Sequence, residues 1–207
     1  EFDGIIIVAS TIVCKEVERK LFDAVKKRKT PCISLEIKED GMGFAGIDNY
    51  AAMRDMIEHL IDFHKYERIG FVTGPTLNQE SMLRKKAYED VLREHGMPVY
   101  EEDIYNGNYG FPSGMEAAEY FVKSPKGMPR AIACSNDEMA MGVIRGLEQH
   151  GIKVPKDVAV TGFDDIADAA NFEPRLTSVA RPRTEIGYMV CQNLLDRIEG
   201  QTVDTDL

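Results

Sequence analysis

The stretch Ile132 to Asp165, IACSNDEMAMGVIRGLEQHGIKVPKDVAVTGFDD, constrains this chain more than any other. It reads as strand, helix, strand. Ile132, Ala133 and Cys134 form the short apolar run of a buried strand. Asp137 is placed to cap the following helix and Glu138 suits its first turn. Met139, Ala140, Val143, Ile144 and Leu147 recur at helical spacing. His150 falls in the last turn, and Gly151 supplies a left-handed stop. Pro155 bars an early return to helix, and Val158 to Val160 make a second apolar strand. Each strand ends in polar residues, Ser135-Asn136-Asp137 and Asp164-Asp165. In open parallel sheets, ligands bind outside the carboxyl ends of the strands. Two strands delivering hydrogen-bonding side chains there predict a site for a small polar molecule.

The same alternation runs along the chain. Strands are expected at Ile5–Ala9, Cys32–Leu35, Phe44–Ile47, Ile69–Thr73, Ile104–Tyr105 and Leu176–Val179. Between them lie helices: one from Ser10-Thr11 to Arg28, one capped by Asp48, one from Asn78 to His95, one opened by Ser113, and a last one from Pro182 to Glu199. One helix-to-strand junction occurs twice, as Leu92-x-x-His95-Gly96-Met97 and Leu147-x-x-His150-Gly151-Ile152. Repeated βα units at this spacing imply parallel, doubly wound sheets. Lys38–Ile47 and Val179–Arg183 are the candidate crossings between two such sheets.

Composition narrows the function classes. The 207 residues carry a net charge of −10 and contain no basic run, so the chain is a poor direct binder of nucleic acid or anionic membrane. No span of 18 apolar residues predicts a membrane helix. The cysteines, Cys14, Cys32, Cys134 and Cys191, show no C-x-x-C pairing and read mostly as buried thiols of a reducing compartment. No two of the four histidines have zinc-helix spacing. No metal and no cofactor are expected. There is no G-x-G-x-x-G, Walker loop or G-x-S-x-G, which counts against an enzyme.

The run Ser135 to Gly142, then Gly151-Ile152-x-Val154-Pro155-x-Asp157-Val158, then Gly162-Phe163-Asp164-Asp165, resembles the effector-binding core of the lactose/galactose-repressor (LacI/GalR) family. So do Asp3-Gly4-Ile5-Ile6, Asp48-Asn49, His59-Leu60-Ile61, Gly74-Pro75 and Leu176-Thr177-Ser178-Val179 before Pro182. The resemblance implies an α/β fold of two doubly wound, Rossmann-like parallel-sheet subdomains hinged around a ligand cleft, as in type I periplasmic binding proteins. It divides the chain into 1–47 (part of the N-terminal subdomain), 48–180 (the C-terminal subdomain) and 181–207 (a return to the first). By this mapping the chain starts at the family's third strand and is cut after Gly200, and the DNA-reading headpiece is absent. The same sensor unit also occurs fused to other signalling outputs.

The resemblance assigns candidate ligand-binding residues. Arg84 matches the effector-gripping arginine of an R-x-x-G-Y/W motif, with Ala87 where glycine is usual. A guanidinium offers a rigid fork for adjacent hydroxyls; the alternative is a solvated helix charge beside Lys85 and Lys86. As a cleft residue, Arg84 is expected to carry little core packing. Asp164 matches a ligand-binding aspartate, since a carboxylate accepts strongly from sugar hydroxyls; the alternative is a cap for the short helix at Ile166, a role open to Asp165. Asn136 offers donor and acceptor, or merely ends a strand. Tyr109 would lay a ring on a sugar face, or be an exposed loop residue. Glu36 would close the cleft, or be a loop charge. Ser10 and Arg181 lie at the cleft edge.

The leading expectation is therefore a cytoplasmic, homodimeric, ligand-sensing domain of a transcription regulator. Its small sugar-like effector would control operator binding by the missing headpiece. The alternatives are the sensor of another signalling protein, an exported sugar-binding protein of a transporter, and an enzyme on a doubly wound fold.

Overall fold

The computed structural model describes residues 2–8, 14–201, 203 and 206. The chain divides into two compact units. Unit 1 comprises Glu1–Asp48, Leu77–Glu80 and Pro182–Leu207; unit 2 comprises Asn49–Thr76 and Ser81–Arg181.

Unit 1 contains strands β1 (Ile5–Val8), β2 (Cys32–Leu35) and β3 (Gly43–Ala45), paired in parallel in that order. Helix α1 (Lys15–Arg28) buries Phe22 and Val25 in a cluster with Ile7, Cys32 and Met42. Helix α7 (Arg183–Ile198) buries Val190 with Ile33 and Ala45, and Ile186 and Leu194 pack beside them. Cys32 and Ile33 are neighbours in β2, so they point to opposite faces and each helix covers one face. Ile5–Val8 is not buried throughout: Ile7 is buried while Ile6 and Val8 are exposed.

Unit 2 is a five-stranded parallel sheet in the order β5-β4-β6-β7-β8. Its strands are β4 (Ile69–Thr73), β5 (Ile104–Asn106), β6 (Ala131–Cys134), β7 (Ala159–Asp164) and β8 (Thr177–Ala180). Helices α4 (Phe111–Val122) and α5 (Asp137–Gln149) cover one face, where Ala117, Phe121, Met139, Val143 and Leu147 pack on Val72, Ile132 and Cys134. Helix α2 (Asn49–Glu58), extended by a π-helical turn over His59–Phe63, and helix α3 (Gln79–Glu94) supply the buried Met53, Ile57, Leu60, Val91 and Leu92. The Tyr88 ring of α3 stacks on Phe71 at 4.7 Å and its hydroxyl donates to the Ile69 carbonyl at 2.8 Å. A short helix, α6 (Ala167–Asn171), follows β7.

The repeated junction is one structure made twice. Met97 N–H donates to the Leu92 carbonyl and Ile152 N–H to the Leu147 carbonyl, while Gly96 and Gly151 take φ of 67° and 75°. This six-to-one closure needs a left-handed residue, which glycine adopts without strain. Helix α4 starts at Phe111 rather than at Ser113, because Gly110 is its N-cap residue and Pro112 fits the first turn. No helix among the described residues is long and apolar enough to cross a membrane.

Candidate functional site

Chain order turns around at β4. Its connection leads to β5 on one side, and the chain then crosses back to β6 on the other. Such switch points open a crevice at the carboxyl ends of the strands, where ligands bind in α/β sheets. In unit 2 this edge is built from Gly74 after β4, Tyr109 after β5, Ser135 and Asn136 after β6, Asp164 ending β7 and Arg181 after β8.

Arg84 belongs to this edge but lies beneath it. It projects from α3, is 1% exposed, and is among the largest fully buried side chains. Its Nε and Nη2 donate to Asn49 Oδ1 at 2.9 and 2.7 Å, and its Nη1 donates to the Ser135 carbonyl. The guanidinium carbon stands 3.7 Å from the centre of the Phe163 ring, a cation–π stack in a dry setting. Arg84 is thus neither a solvated charge nor a residue with little core packing: Phe163, Asn49 and the β6 end enclose it. Sequence reasoning missed Asn49 and Phe163 as its partners. The signal was present, since both stand in the quoted Asp48-Asn49 and Gly162-Phe163-Asp164 motifs.

Asp164 carries the exposed chemistry. Its Oδ1 is 3.3 Å from Arg181 Nη1 and 4.0 Å from Arg84 Nη2. The side chains of Asp164 and Arg181 remain 20% and 17% exposed. One carboxylate and one guanidinium therefore reach the surface side by side, above a second, buried guanidinium.

Asn136, not Asp137, is the N-cap of α5. Its Oδ1 accepts from Met139 N–H at 3.0 Å, and its Nδ2 donates to the Tyr109 carbonyl at 2.8 Å. The cap falls one residue earlier than expected because the buried Asp137 carboxylate is turned to Ile166 N–H and Ser178. Nor does Asp165 cap α6; Ile166 occupies that position without a side-chain cap. Tyr109 is half-buried rather than an exposed loop residue. It has φ of 73°. Its ring lies so close to Gly74 that a Cβ there would come within 2.4 Å of it.

The other two candidates belong to unit 1. Glu36 follows β2 at φ 68°, and its N–H extends the ladder to the Ala45 carbonyl at 2.9 Å. It lines a small cavity with Lys15, Glu18 and Asn78. Ser10 lies outside the described residues. Among the described residues no group of three or more His, Cys, Asp or Glu could hold a metal. Burial, helped by the nearby Asp137 charge, pushes the Cys134 thiol well above the ordinary range, so it stays neutral beneath this edge.

The family model described as "Periplasmic binding protein-like domain" matches residues 57–206. The chain belongs to the periplasmic binding protein-like domain family. As a member, it is similar to transcription regulators. It is 32% identical to Catabolite control protein A of Priestia megaterium, over 100% of this chain and 61% of that protein. It is 34% identical to the HTH-type transcriptional repressor CytR of Escherichia coli K12, over 76% of this chain and 46% of that protein. The chain thus spans only about half to three fifths of the length of these curated relatives. Among solved structures, the Escherichia coli transcriptional repressor AscG superposes with a TM-score of 0.84 at 28% identity, covering 99% of this chain and 73% of that one. The transcriptional regulator CelR in complex with cellobiose superposes at 0.87 with 26% identity, covering 100% and 63%. These likenesses bear out the α/β, parallel-sheet fold and the resemblance to LacI-type sensors.

Proposed function

We propose that this chain is the effector-sensing part of a LacI-type transcription regulator. It binds a small sugar or sugar derivative at the carboxyl edge of the unit 2 sheet without turning it over. The observation that carries the proposal is the Arg84–Asp164–Arg181 group. A buried guanidinium, fixed by Asn49 and Phe163, backs a carboxylate that is still partly exposed and has a second guanidinium beside it. Such alternating charged acceptors and donors, prefixed in one place, suit vicinal hydroxyls. Tyr109, held by Asn136 through its carbonyl, would offer a ring to the C–H face of the sugar. Glu36 and Ser10 remain proposed ligand contacts.

The relatives are named as repressors of the HTH type, which supports DNA reading by a segment outside these 207 residues, a homodimer that matches two operator half-sites, and a cytoplasmic setting. The decisive test uses the whole regulator and its own promoter DNA in a gel shift with a panel of mono- and disaccharides. One sugar should change operator affinity at least tenfold and be recovered chemically unchanged. A sugar consumed during the assay would establish an enzyme instead, and operator binding indifferent to every sugar would refute the sensing role.

A further inference from the structure

Asp137 is fully buried although it is a carboxylate at the start of a helix that Asn136 already caps. Its oxygens reach the turn after β7 and strand β8. Oδ2 accepts Ile166 N–H at 2.8 Å, and Oδ1 accepts the Ser178 hydroxyl at 2.5 Å. The same hydroxyl accepts Asp165 N–H at 3.1 Å. Two consecutive amides of the turn after β7 are therefore tied to one carboxylate, directly at Ile166 and through Ser178 at Asp165.

That turn has unusual geometry. Asp164 has φ of 108° and Asp165 φ of 50°, both in the region that L side chains avoid. Such backbone persists only where its surroundings over-determine it. Gly162 makes the arrangement sterically feasible, because a Cβ there would stand 2.2 Å from Asp137 Oδ1. The start of α5, the turn after β7 and strand β8 thus meet at one buried carboxylate, and Asp164, one of the two residues with strained backbone, pairs its side chain with Arg181.

We infer that Asp137 and Ser178 form a buried latch that imposes the Asp164–Ile166 turn and so aims the Asp164 carboxylate at the effector. Both are positioning residues that act through Asp164. The inference rests on the proposed effector site and extends it. Without the latch, the turn relaxes toward negative φ, which swings the carboxylate away from Arg181. A mere stitch between strands would add stability but leave ligand affinity alone.

The test uses the 207-residue chain as wild type, Ser178→Ala, Ser178→Thr and Asp137→Ala. Amide exchange at Asp165 and Ile166 is followed by NMR, with amides of β4 and β6 as internal references. The whole regulator carrying the same substitutions is titrated calorimetrically with cellobiose and a panel of other mono- and disaccharides. Ser178→Ala should speed exchange at Asp165 at least tenfold with reference amides unchanged, and weaken the bound sugar tenfold or more. Ser178→Thr should restore both. If Asp137→Ala loses protection throughout the sheet, the two Ser178 variants decide. Unchanged exchange at the turn in Ser178→Ala overturns the latch. Faster exchange with unchanged sugar affinity overturns its positioning role. A panel in which nothing binds the wild type contradicts the effector reading, and the exchange result alone then judges the latch.

Discussion

The central carbon of the Arg84 guanidinium stands 3.7 Å from the centre of the Phe163 ring, while Asn49 Oδ1 accepts two of its N–H groups. A charge this deeply buried is tolerated because polar partners and an aromatic face replace its water. Arg84 is consequently both a support of the site and part of the core of unit 2.

Arg84→Ala should therefore destabilise the fold. It strips donors from the buried Asn49 oxygen and the Ser135 carbonyl and removes the stack. Together these cost about 2–4 kcal/mol. Urea denaturation of the two proteins measures it, and a loss below about 1 kcal/mol would contradict the arrangement.

Helices α4 and α5 approach through glycines. A Cβ on Gly142 would come 2.1 Å from the Phe111 carbonyl oxygen, and one on Gly114 would come 2.1 Å from that of Met139. Neither obstacle is a flexible side chain. Gly142→Ala should cost about 1–3 kcal/mol of overpacking despite alanine's better helix propensity. A variant as stable as the wild type in thermal denaturation would show that the helices part easily.

Much of this was legible in the sequence, and the reasons differ by element. The βα order could be read because strand runs such as Ile132–Cys134 are apolar on both faces, and helix stops such as Gly151 have a fixed mechanism. The polar strand ends pointed to the right edge of the sheet. The particular role of each residue there could not be read. Asn136 and Asp137 are adjacent and both suit a cap; only the position of Ile166, 29 residues on, decides that Asp137 turns elsewhere. For Arg84 the local sequence beside Lys85 and Lys86 leaves a solvated charge open as the alternative to a ligand contact, since its burial depends on Asn49 and Phe163, which come from distant parts of the chain. The close approach of Gly114 to Met139 is likewise tertiary and leaves no local pattern.

Burial also sets a pH limit. The Cys134 thiol and the Tyr88 phenol are both pushed well above their ordinary values, chiefly by desolvation. Unfolded, these groups ionise near pH 9–10; folded, they keep their protons. The unfolded state then binds fewer protons, so stability is complete below that range and falls as pH rises through it. Denaturation midpoints between pH 7 and 11 should show the decline. Correspondingly, a thiol reagent at pH 8 should modify Cys14 and Cys191 and spare Cys32 and Cys134 until the protein is unfolded. Rapid native labelling of Cys134 would contradict its burial.

The 207 residues alone should not read DNA. With a net charge of −10 they lack the cationic surface that supplies most nucleic-acid affinity. A sequence-specific, salt-sensitive gel shift by this chain would overturn the assignment of DNA reading to another segment.

The central claim is that a sugar binds where Asp164 and Arg181 reach the surface, and calorimetry on wild type, Asp164→Ala and Arg181→Ala with a sugar panel tests it most directly. Each charged hydrogen bond is worth about 1.5–3 kcal/mol, so either substitution should weaken the bound sugar roughly 10- to 100-fold. Both side chains are partly exposed, so the fold should survive each change. A sugar that binds both variants as tightly as the wild type would place the site elsewhere.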